Sequence, residues 1–73
     1  MNKTKKNKYV WLNKSHEVIS CDEKLKVLNE NILELENNLQ NIFDDAVIMG
    51  CDEKDFKKKV VNILNNLKFS FEK

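Results

Sequence analysis

Two thiols, one imidazole and a band of carboxylates are the groups in this chain with chemistry to offer. Cys21 and Cys51 stand thirty residues apart, His16 is the sole histidine, and Asp44, Asp45, Asp52, Glu53 and Asp55 crowd one stretch. A disulfide needs its Cα atoms within roughly 7 Å. The residues between the cysteines read as continuous helix, which separates the thiols by about 40 Å. A bridge within one chain is therefore excluded on that reading. In an antiparallel pair of chains, Cys21 of one copy reaches Cys51 of the other. That makes a redox- or metal-linked dimer one alternative to be weighed, against the plainer view that both are small residues beside helix caps.

The other groups are less promising. A metal site built on His16 lacks the two or three further ligands it needs. The carboxylates miss the spacing of a calcium loop, and capping and solubility account for them. No nucleophile, base and orienting acid fall into a set, and a chain with one glycine has no phosphate-cradling loop. These residues point away from an enzyme, and no cofactor or metal is expected.

The element that positions most of these groups is a helix expected over residues 22–49. With Leu25 at heptad position a, the a residues are Leu25, Ile32, Leu39 and Ala46. The d residues are Leu28, Leu35, Ile42 and Met49. Every one is apolar over four heptads, the pattern of a coiled-coil seam. Ser20 and Glu23 suit a capping box at its start. Gly50 follows the last d residue, where a left-handed residue closes a helix.

A second helix is expected over residues 53–69, with Asp52 as N-cap and Phe56, Val60, Ile63, Leu64, Leu67 and Phe71 along one face. The tetrapeptide Cys-Asp-Glu-Lys begins at both Cys21 and Cys51, but the apolar phases that follow differ. It is one helix-start sequence used twice, not a duplication. Residues 9–20 suggest a short β-hairpin, Tyr9 to Leu12 and Glu17 to Ser20 around an Asn13–His16 loop, with Trp11 as its anchor. Residues 1–8 read as a disordered lysine-rich tail, and residues 9–73 as a single domain.

Composition bounds the function. The chain has 73 residues, too few for a large core, so a partner is expected. At 41% hydrophobic and 34% charged, it is too apolar for overall disorder. No run has the length of a membrane span, no signal-peptide core opens the chain, and two cysteines make no secreted framework, so the reading is cytoplasmic. All thirteen basic residues are lysine and eleven residues are asparagine, a coding bias that suggests a bacterium.

A net charge of +1 hides a partition. Residues 1–16 hold five lysines and no acid, residues 17–55 hold eleven acids and three lysines, and residues 56–73 hold five lysines and one acid. A turn this short between the helices favours an antiparallel helical hairpin, with Lys57, Lys58 and Lys59 beside Asp44 and Asp45. In that register Phe56 meets Ala46 and Met49, Val60 lies near Ile42 and Phe43, Leu64 reaches Leu39, Leu67 reaches Leu35, and Phe71 approaches Ile32.

The second helix is shorter by about 18 Å. Leu25 and Leu28 are then left open, beside a further apolar strip of Val27, Leu33, Val47 and Ile48, and these six with Ile32 make the expected interface. The expected architecture is mainly α, a dimeric helical bundle preceded by the β-hairpin. The expected activity is protein–protein interaction: an adaptor, assembly factor or regulatory subunit that self-associates through its long helix or binds an unidentified protein, with Trp11 as a further contact. Weak nonspecific nucleic-acid binding through the lysine tail and Lys57–Lys59 is the alternative from another class. It is disfavoured because arginine, the usual reader of guanine, is missing and an acidic helix lies alongside.

Overall fold

A computed structural model describes residues 9–71; the lysine-rich segment 1–8 lies outside the described residues. The chain is mainly helical, with α1 over Asp22–Ile48 and α2 over Glu53–Asn65. A helical hairpin fits this order. Packing of the described residues gathers into two compact units that divide between Asn37 and Asn38, so the boundary falls inside α1.

In the N-terminal unit, residues 9–21 form a tight turn with one isolated antiparallel bridge, Leu12 to Val18, and no named strand occurs among the described residues. Asn13 organises the turn. Its side-chain Oδ1 accepts from the backbone N–H groups of Ser15 (2.8 Å) and Glu17 (3.0 Å). Its own N–H donates to the Glu17 carbonyl at 2.8 Å, and its carbonyl accepts from His16 N–H at 2.9 Å. His16 takes φ 66°, the left-handed conformation that closes a three-residue loop between antiparallel segments. Ile19 N–H then donates to the Trp11 carbonyl at 2.8 Å.

α1 starts one residue later than a Ser20 cap requires. The Cys21 carbonyl accepts from Leu25 N–H at 3.0 Å, which puts Cys21 at the N-cap, with Asp22 and Glu23 in the first turn. Acids there complement the positive end of the helix dipole.

The C-terminal unit holds the end of α1 and all of α2. Cys51 N–H donates to the Ala46 carbonyl (2.9 Å), Gly50 N–H donates to Val47 (2.9 Å), and Gly50 has φ +97°. This is a Schellman closure, and it works because glycine has no Cβ to oppose a positive φ. Met49 is thereby part of the turn instead of the last residue of the helix. The Asp52 side chain accepts from Asp55 N–H at 2.8 Å and caps α2.

The helix expected to reach residue 69 ends at Asn65. Asn66 N–H donates to Ile63 and Leu67 N–H to Leu64, tighter i to i−3 bonds that close the last turn. Two consecutive asparagines, poor helix formers whose side chains compete for backbone groups, stand at that point.

No described residue is fully buried. Trp11, Ile19, Leu25, Leu28 and Ile32 are half-buried in the N-terminal unit, and Leu39, Phe43, Ala46, Phe56 and Val60 in the C-terminal unit. The heptad seam holds only in part. An α-helix has 3.6 residues per turn, so a strict seven-residue row slips by about 20° per heptad. The d row follows that slip, from half-buried Leu28 through Leu35 and Ile42 to Met49 at 80% exposed. Phe43, one position past d, takes the covered place instead.

Candidate interaction surface

Trp11 owes its position to the Asn13 turn, which returns the chain toward α1. Its indole Nε1–H donates to Asn29 Oδ1 at 2.8 Å, so the polar edge of the ring is satisfied while its face stays half-buried. Tyr9 packs beside it, ring centroids 5.9 Å apart. Leu25 and Leu28, expected to lie open, are half-buried in this same unit, as is Ile32. Asn29 escaped the sequence reading. Its one signal is its place next to Leu28 and four residues after Leu25, on the flank of the apolar stripe.

Val27, Leu33, Val47 and Ile48 are all exposed, as expected, but they do not form one strip. At about 100° per residue, Val27 and Leu33 point about 120° apart around the helix, and Val47 is more than three turns further along. Ile48 at 81% is the most exposed of the four. A shallow hollow lined by Glu23, Lys24, Val27 and Leu28 opens beside Val27.

In the C-terminal unit Phe43 and Phe56 meet edge to face, with centroids 5.5 Å apart and planes at 62°. Phe56 was expected to meet Ala46 and Met49. The turn carries Met49 away, and helical drift brings Phe43 round in its place. Val60 is half-buried on the same face as Phe56, but the next residues on that face are not covered. Ile63 is 62% exposed, Leu64 51% and Leu67 71%, so this end of the face stays largely open to solvent. Past α2, Phe69 and Phe71 pack on each other at 5.6 Å.

The lysines also depart from expectation. Lys59 Nζ donates to Asp55 Oδ2 at 2.8 Å, one turn earlier on its own helix, and this is the only ion pair among the described residues. That hydrogen bond, reinforced by the charge of Lys59, holds the Asp55 carboxyl below its ordinary range, and Lys59 is raised in return. Lys57 lies 5.4 Å from the centroid of the Phe43 ring, a cation–π contact. Asp44 accepts from Gln40 at 2.9 Å. An i,i+4 partner on the same helix is held in reach by the backbone, so local contacts take precedence over those between helices.

Cys21 is a free exposed thiol and Cys51 a free half-buried one. Among the described residues no three potential ligands converge to hold a metal ion, and no helix is long and apolar enough to cross a membrane. What each unit presents is a set of exposed apolar side chains bordered by charged ones. Compared with known protein families, curated proteins and solved structures, the chain matches none.

Proposed function

We propose that this chain is a non-enzymatic protein–protein interaction module, an adaptor, assembly factor or regulatory subunit, that acts as a self-associated helical bundle. One observation carries the reading. Large apolar side chains stand in solvent on both helices, while no described residue is buried. Burying one such side chain is worth about 1.5–3 kcal/mol, and monomers rarely leave contiguous patches of them open.

In the associated form, residues 9–20 would complete the β-hairpin that begins at the Leu12–Val18 bridge. Two strands alone are marginal in water and need a surface to lean on. The lysine- and asparagine-rich composition fits a bacterial, cytoplasmic setting. Light scattering coupled to size exclusion tests the reading. A mass twice the 8.6 kDa of the chain is expected at micromolar concentration, and a mass of 8.6 kDa throughout would overturn self-association.

A further inference from the structure

We infer that the occupant of the uncovered half of α2 is a second copy of this chain, docked through its C-terminal unit. Each α2 lies on the end of the other copy's α1. The inference rests on the self-association proposed above and assigns its surface.

Ile63, Leu64 and Leu67 continue the face that Phe56 and Val60 begin, with i, i+3, i+4 and i+7 spacing from Val60. The first two residues of that face are half-covered within the chain and the last three are open. A face that begins inside a chain and continues uncovered is built to be completed from outside.

The area suffices. Together with Phe69 and Phe71, these side chains are 51–80% exposed. At roughly 200 Å² for a large side chain they offer about 650 Å² per copy. Half-exposed Ile42, on the slipped d row, adds to it. A standard interface takes about 800 Å² from each partner.

Charge selects the occupant. The stretch 38–50 carries Asp44 and Asp45 and no lysine, whereas Lys57 and Lys58 on α2 have no acidic partner among the described residues. One unit thus presents an apolar face, unmatched acids and unmatched lysines together. A two-fold pair requires such self-complementarity, because each contact from the first copy to the second is repeated in reverse. With α2 of each copy on α1 of the other, Lys57 and Lys58 fall beside the other copy's Asp44 and Asp45.

Sedimentation equilibrium on the full chain and two double variants tests this surface. Ile63→Glu with Leu67→Glu is expected to weaken association by at least about tenfold. Val27→Glu with Leu33→Glu should leave it within about twofold. All four positions are more than half exposed, so the helical circular dichroism of both variants should match the native chain. A dimer indifferent to the first variant, or broken only by the second, overturns this interface and leaves self-association standing. A native chain that is monomeric throughout overturns both.

Discussion

Trp11 shows how one side chain can place a segment that has almost no sheet of its own. Its ring supplies apolar area and its N–H finds Asn29, and both links tie residues 9–21 to α1 within the N-terminal unit. Replacing Trp11 with Phe keeps most of the ring and removes the donor. We expect a loss of about 0.5–1.5 kcal/mol in urea unfolding, and a similar loss from Asn29→Ala, with the double variant losing less than their sum. Full additivity would mean that the two side chains act separately.

Asp55 gives a second test on the same scale. Its carboxyl is held low chiefly by the hydrogen bond from Lys59 and then by the charge of Lys59. An acid with a depressed pKa contributes stability that is present above the unfolded value and fades as pH falls through the folded value. For Lys59, raised by the same bond, the contribution is complete below the unfolded value and fades as pH climbs through the folded one. The pair therefore favours the fold between the acid and the far alkaline limbs. A carbon-detected titration of Asp55 should show a midpoint below that of a free aspartate. Lys59→Gln should return it to the ordinary range, and an unchanged midpoint would show that Lys59 is not the cause.

Among the elements, the ends of the helices carried the clearest sequence signals where the backbone had no choice. Gly50 was legible as the stop of α1 because a positive φ is costly for any residue with a Cβ, and it adopts φ +97°. A Cβ added there would meet no atom within 4 Å, so substitution costs backbone strain alone. Gly50→Ala should lose about 1–2 kcal/mol in thermal unfolding and Gly50→Asn distinctly less, since Asn tolerates the left-handed region. Equal losses would point to some other constraint. Asp52 was legible for a similar reason, a side-chain acceptor just before the helix.

Other features were not legible because they depend on competition. The apolar spacing of Leu67 argued for a longer α2, but spacing says nothing of the Asn65–Asn66 pair outbidding the helix for backbone bonds. The heptad reading assumed that the d row stays on one face. In an α-helix without a supercoil it slides, and Phe43 replaces Ile42 and Met49 at the covered stripe. The turn before α1 was foreseen from Asn13–His16, whereas the Trp11–Asn29 bond joins residues eighteen apart and leaves no local trace.

Over the whole molecule, composition already implied a chain short of core, and the structure makes that shortage specific. The half-buried residues fall in two groups, one in each unit, and neither is closed from water. Marginal stability of this kind is a free-energy difference that a second copy would enlarge through mass action, so unfolding and association become one process. Charge partition fits the same account. Ion pairing among the described residues stays within one turn of α2, and the acids of α1 and the other described lysines form no ion pair among those residues. Such exposed pairs add under about 1 kcal/mol each and set orientation more than strength.

The most direct test of self-association is the midpoint of thermal unfolding measured over a hundredfold range of chain concentration. A dimer that unfolds to separate chains must melt higher as concentration rises, because association is part of what holds it folded. The account predicts that rise, together with its attenuation in the Ile63→Glu, Leu67→Glu variant. A sharp midpoint that stays fixed over the whole range would mean that the chain folds alone, and would contradict it.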